Sequence, residues 1–123
     1  MNILILGNGG REHVFAQKIK ESKLCTNLYI APGNAGTAQC GKNIELAVSN
    51  FEGIAQFCLE NSVDMLIPGG EEALVLGISD YFLLNEKLKH ILILGPSKLG
   101  ATLEGSKDFS KEFMQRHGIP TAA

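Results

Sequence analysis

The sequence predicts an α/β domain of the doubly wound kind, a mainly parallel sheet with helices on both faces, and three observations predict it. Four short apolar runs, Ile3 to Leu6, Leu28 to Ala31, Met65 to Ile67 and Ile91 to Leu94, have strand length, and each runs into glycine or proline. Segments of helical period separate them. Alternation of this kind calls for right-handed crossovers and parallel strands, and the near-continuous apolarity of the runs suits strands buried on both faces.

Taken in order, the first run leads into Gly7-Asn8-Gly9-Gly10, followed by a helix in which Phe15 and Ile19 are four residues apart. The second ends at Pro32-Gly33-Asn34-Ala35-Gly36, and Ile44 to Val48 forms a weaker strand candidate after it. Phe51, Ile54, Ala55 and Cys58 then mark one face of a helix, and Ser49 followed three residues later by Glu52 is a capping-box pattern that would start it. The third confident strand runs into Pro68-Gly69-Gly70-Glu71 and the fourth into Gly95-Pro96-Ser97. Beyond Ser97 come two helical patterns, Leu99/Leu103 and Phe109/Phe113, with Ser106 as a cap and Asp108 as a first-turn acid for the second. Gly118-Ile119-Pro120 breaks that helix, and no further strand is predicted.

Composition limits the function classes. A chain of 123 residues is the size of one domain. With 45% apolar residues, 20% charged residues and a mean hydropathy of +0.09, it reads as a soluble, well-packed protein. A net charge of -2 provides no broad basic field for nucleic acid or an anionic membrane, so any phosphate must be held locally. Cys25, Cys40 and Cys58 are an odd number without C-x-x-C spacing, which suggests free thiols. The apolar start stops at Gly7, too short for a signal peptide or membrane span, and a cytoplasmic location follows by default.

In a parallel sheet the four glycine-rich turns share one edge, where open α/β sheets bind ligands. The first turn is the strongest element, because its glycines bring backbone N–H groups and the positive end of the next helix against an anion. The alternative is that its glycines only make a tight connection. The dinucleotide fingerprint would need glycine at position 12, where Glu12 stands, and an acid at the end of the second strand, which reads Tyr29-Ile30-Ala31-Pro32. A smaller phosphate ester fits better. Arg11 could clamp phosphate and Glu12 meet a hydroxyl, or both could be ordinary first-turn residues. Glu71 could accept bonds from sugar hydroxyls or an amine, or could join Glu72 as a helix-start acid. His13 lacks a second histidine or cysteine at ligand spacing, which argues against a metal role.

Four motifs, in order, resemble one family: Gly7-Asn8-Gly9-Gly10-Arg11-Glu12-His13, Ala31-Pro32-Gly33-Asn34-Ala35-Gly36-Thr37, Leu103-Glu104-Gly105-Ser106-Lys107, and Arg116-His117-Gly118-Ile119-Pro120-Thr121-Ala122. The chain is similar over essentially its whole length to the glycinamide ribonucleotide synthetases, or phosphoribosylamine–glycine ligases, of the ATP-grasp superfamily. The resemblance implies a Rossmann-like pre-ATP-grasp domain, with residues 1–97 binding the phosphoribosyl substrate and residues 98–123 forming a helical connection to an ATP-grasp region beyond this chain. A full enzyme would be about three to four times this length.

It also implies an ADP-forming C–N ligase reaction in early purine biosynthesis. ATP phosphorylates the glycine carboxylate, and the amine of 5-phosphoribosylamine attacks the glycyl phosphate to give glycinamide ribonucleotide. ATP and Mg would be bound mostly outside these residues, and the chain alone would be inactive. Asn8, Gly9, Gly10, Arg11, Glu12 and Asn34 fall on two loops facing the phosphoribosyl substrate. Gly70 and Glu71 fall on a Gly-Pro-Glu motif, with Gly70 and Ala73 standing where the family usually has proline, a change that gives this turn more backbone freedom. Lys107 falls near a lysine that contacts nucleotide phosphates, and no residue of the chain is expected to be catalytic. The implied partners are 5-phosphoribosylamine, glycine and the missing ATP-grasp domain; apolar faces after Ser97 could drive self-association. Two readings from other classes stay open at this point: a dinucleotide-binding module and a non-catalytic interaction module.

Overall fold

The computed structural model describes residues 1–122 of the chain. It contains β1 (Asn2–Gly7), α1 (Gly10–Lys20), β2 (Asn27–Pro32), a 3-10 turn (Thr37–Gln39), β3 (Lys42–Asn43), α2 (Phe51–Glu60), β4 (Met65–Pro68), α3 (Glu72–Val75), α4 (Ile78–Leu83), β5 (Leu92–Ile93), α5 (Lys98–Gly105) and α6 (Lys107–Arg116). The five strands form one parallel sheet in the order β3-β2-β1-β4-β5. Because β1 lies between β2 and β4, the chain winds outward in one direction, crosses back over β1 and winds outward in the other. The gap between the carboxyl ends of β1 and β4 is therefore the topological switch point.

Alternation along β1 divides the core. Ile3 and Ile5 face α1 together with Leu28, Ile30, Ile67 and Ala16. Leu4 and Leu6 face the other way, against Ile54, Ala55 and Cys58 of α2 and Ala73, Leu74, Ile78 and Phe82 of α3 and α4. Since both faces are covered, Ile3 through Leu6 are buried without interruption, which is why the run is continuously apolar in sequence.

Two local expectations are corrected. The weak strand candidate Ile44 to Val48 is not a strand; β3 is the shorter Lys42–Asn43. Ile44 N–H still bonds Ile30 O at 2.8 Å, but Leu46 N–H turns back to Ile44 O, which ends the ladder. Ile44, Leu46 and Val48 nevertheless pack against the core, and that burial accounts for their alternation. The second correction concerns α2, which is capped by Asn50 and not by the Ser49/Glu52 box: Asn50 Oδ1 accepts from Gly53 N–H at 3.0 Å. Ser106 caps α6 as its sequence predicts, accepting from Phe109 N–H at 3.2 Å.

Candidate functional site

β1 ends at Gly7 with φ +137, a backbone conformation that side-chain-bearing residues rarely adopt, and this turn delivers Asn8-Gly9-Gly10 to the rim. α1 starts at Gly10, so the Gly9 carbonyl accepts from His13 N–H at 3.1 Å. In a trans peptide the carbonyl and the next N–H point in opposite directions. The Gly10 N–H therefore points out beyond the start of the helix. The N–H groups of Gly10, Arg11 and Glu12 precede the first helical bond, and Gly9 has no side chain with which to cap them. The result is a set of donors at the positive end of an eleven-residue helix.

Neighbouring turns hold this loop from two sides. On the β2 side, Gly33 N–H bonds Gly7 O at 3.0 Å, and Asn34 Nδ2 donates to Asn8 O at 2.9 Å and Gly9 O at 3.3 Å. Asn34 Oδ1 accepts from Thr37 N–H at 2.9 Å, so both ends of this amide are engaged within the protein. Buried Thr37 has one hydroxyl proton, which its shorter contact assigns to Asn43 Oδ1 at 2.7 Å, while Asn43 Nδ2 donates to Asn34 O at 2.8 Å.

On the β4 side, Gly69 N–H bonds Leu6 O at 2.8 Å and Arg11 Nη1 donates to Gly69 O at 2.9 Å. A guanidinium has five N–H donors, so this bond leaves exposed Arg11 with donors to offer a ligand. Glu12 Oε2 accepts from Gly9 N–H at 2.7 Å, and the residue is only 6% exposed.

Above these turns lie two clefts, of about 260 Å³ and 60 Å³, that share Val48 and Glu72 as lining residues. Asn8, Pro32 and Ser49 complete the larger, and Leu6, Pro68 and Gly70 border the smaller. Of the residues predicted from sequence, Asn8 and Gly70 line these clefts, while Gly9, Gly10, Arg11, Glu12 and Asn34 belong to the hydrogen-bonded turns beside them and line neither. Glu71 is exposed and precedes α3, but the carboxylate that lines both clefts is Glu72. Lys107 opens α6, is exposed and lines neither cleft. The fourth turn, Gly95 to Ser97, also lines neither; its place is taken by Ala47-Val48-Ser49, for which the sequence predicts only a strand end and a cap. His13 rests against Gly36 and borders a separate open groove along the flank of α1, away from the rim.

The family model described as phosphoribosylglycinamide synthetase, N domain, matches residues 1–104. The chain belongs to this family. Among curated relatives of this N domain, the phosphoribosylamine–glycine ligase of Mesorhizobium japonicum is 44% identical over 123 residues, covering 100% of this chain and 28% of the ligase. The bifunctional purine biosynthetic protein of Schizosaccharomyces pombe is 47% identical over 124 residues, covering 97% of this chain and 15% of that protein. Among solved structures, the phosphoribosylamine–glycine ligase of Thermotoga maritima matches with a TM-score of 0.65 and 30% identity over 100% of this chain and 26% of its own. The N domain described here thus spans little more than a quarter of the ligases it matches.

Proposed function

We propose that the rim between β1 and β4 binds the 5-phosphoribosyl group for a ligase that joins glycine to 5-phosphoribosylamine, giving glycinamide ribonucleotide, ADP and phosphate in purine biosynthesis. The observation that carries this reading is the set of main-chain donors at Gly10, Arg11 and Glu12, fixed in place by Asn34 on one side and the Gly69 turn on the other. Preformed N–H groups at a helix start match the several acceptor oxygens of a phosphate and require no net positive charge on the chain. Arg11 adds a charged donor beside them. Asn8 and Gly70 border the clefts beside this turn, suited to ribose hydroxyls or the amine, and Glu72, the carboxylate that lines both, takes the place expected of Glu71 where a cationic or hydroxyl-bearing part of the ligand would sit.

In this reading residues 1–97 form the phosphoribosyl-binding unit and residues 98–123 lead into an ATP-grasp region. The chemistry needs glycine activated as an acyl phosphate, with ATP and Mg supplying the phosphoryl group and its charge neutralisation. Among the described residues no group of three or more His, Cys, Asp or Glu is placed to hold a metal, and Lys107 is the one residue of this chain assigned toward nucleotide phosphates. The role of these residues is to bind and orient the amine-bearing substrate, which lowers the barrier by removing translational and rotational freedom. No helix among the described residues is long and apolar enough to cross a membrane, and a cytoplasmic setting suits this substrate chemistry. Leu99, 73% exposed, and Leu103 on α5 would meet the ATP-grasp portion, and in its absence would favour self-association.

Calorimetric titration with glycinamide ribonucleotide and with ribose 5-phosphate tests the proposal. Saturable binding of both, with Arg11→Ala weakening each by about tenfold for loss of a charge-assisted bond, is the expected result. Binding of neither at millimolar ligand would overturn it for this chain.

A further inference from the structure

We propose that Glu12 is a positioning residue whose buried side chain acts as a wedge between the first and third turns, setting the direction of the free amides at the start of α1. This inference rests on the phosphoribosyl reading of the rim. The resemblance alone places Glu12 facing the substrate; its surroundings describe a different role.

Three glycines make room for it. A Cβ on Gly7 would lie 2.5 Å from Glu12 Cδ, one on Gly9 3.1 Å from Oε2, and one on Gly69 would overlap Oε1. These glycines come from two strand ends on either side of the switch point, so one carboxyl group fills the space where β1 and β4 release their turns. Oε2 fixes the Gly9 N–H at 2.7 Å, and Arg11, the adjacent residue, ties the same two turns through Gly69 O. At 6% exposure Glu12 has little surface to offer a sugar hydroxyl.

The sign of its charge points the same way. A carboxylate beneath an anion site repels the anion, and no Lys or Arg pairs with Glu12 among the described residues to offset this. Its place there is explained by reach and acceptor strength, with some favourable interaction with the helix start. A group retained for reach can be replaced by its neutral isostere. A group that recognises ligand through its charge cannot.

Two measurements on the 123-residue chain decide the matter. The first is a double-mutant cycle in urea denaturation with Gly69→Ala and Glu12→Ala. Gly69→Ala should lower the unfolding midpoint clearly in the parent and little in the Glu12→Ala background, where the new methyl enters vacated space. An equal loss in both backgrounds overturns the wedge. The second is titration with ribose 5-phosphate. Glu12→Asp, one methylene short of Gly9 N–H, and Glu12→Ala should each bind about tenfold more weakly, while Glu12→Gln rescues binding to within about threefold. Equal losses in Glu12→Gln and Glu12→Ala would make the charge itself the recognition element and overturn the proposal. If the parent chain binds no ribose 5-phosphate, the phosphoribosyl reading fails, and the denaturation cycle still passes or rejects the wedge.

Discussion

Asn34 shows how a residue can belong to the candidate rim with both ends of its side-chain amide engaged within the protein. Its Nδ2 holds the carbonyls of Asn8 and Gly9, and its Oδ1 receives Thr37 N–H. Asn34→Asp replaces that donor by an oxygen directed at two carbonyls, so it should destabilise the chain by about 1–3 kcal/mol and more than Asn34→Ala does; urea midpoints measure the difference. The residue was legible in the sequence through its motif, but its partners were not, because Asn8 and Asn34 are joined only by the pairing of β1 with β2. Cys58 behaves similarly. The sequence shows an unpaired cysteine on a helix face, and the structure adds that burial lifts its thiol from 9.0 to about 12. A folded value raised above the unfolded one gives a contribution fully present below about pH 9 and lost as pH rises toward 12. At pH 8, Ellman labelling should therefore reach the half-buried Cys25 and Cys40 in the native chain and Cys58 only at the rate of unfolding.

Among the elements, α2 illustrates the limits of a local signal. Ser49 and Asn50 are both good cap residues, and the short-range pattern Ser49-x-x-Glu52 selects the wrong one. In the fold Asn50 Oδ1 takes the Gly53 N–H, and Phe51, the first helical residue, lies 5.5 Å from Tyr81 of α4 between ring centroids. Asn50→Ala should cost about 1 kcal/mol in thermal or urea unfolding, whereas Ser49→Ala should stay within about 0.5 kcal/mol. The same competition explains Ile44 to Val48, whose period of two reflects one buried side without a strand partner beyond Ile44. Helical period in the sequence matches α5 and α6, yet the two differ in anchoring. α5 buries Ala101, while α6 has no buried residue. Amides of α6 should accordingly exchange with deuterium well before those of α2, which buries Ile54, Ala55 and Cys58.

For the molecule as a whole, the site is a product of strand order. The local sequence announces a glycine-rich turn after each confident strand, and parallel pairing brings all of them to one edge. Which turns meet depends on β1 standing between β2 and β4, and no local pattern encodes that arrangement. It brings the turns after β1, β2 and β4 together, leaves the turn after β5 outside, and admits Ala47 to Ser49 as a wall. The sequence offers Glu72 only as a helix-start acid and Thr37 only as a motif position, and their partners appear for the same reason once the sheet is formed: Glu72 lines both clefts and Thr37 donates to Asn43. Substrate recognition on such a rim depends on rigid main chain, so its donors should respond to ligand as a group. The most direct test is amide NMR of the 15N-labelled chain titrated with ribose 5-phosphate. The resonances of Gly10, Arg11 and Glu12 should shift together along one saturating curve, with those of β5 and α6 unmoved. Shifts spread over the exposed lysines, with the first turn silent, would contradict phosphate recognition at the β1–β4 rim.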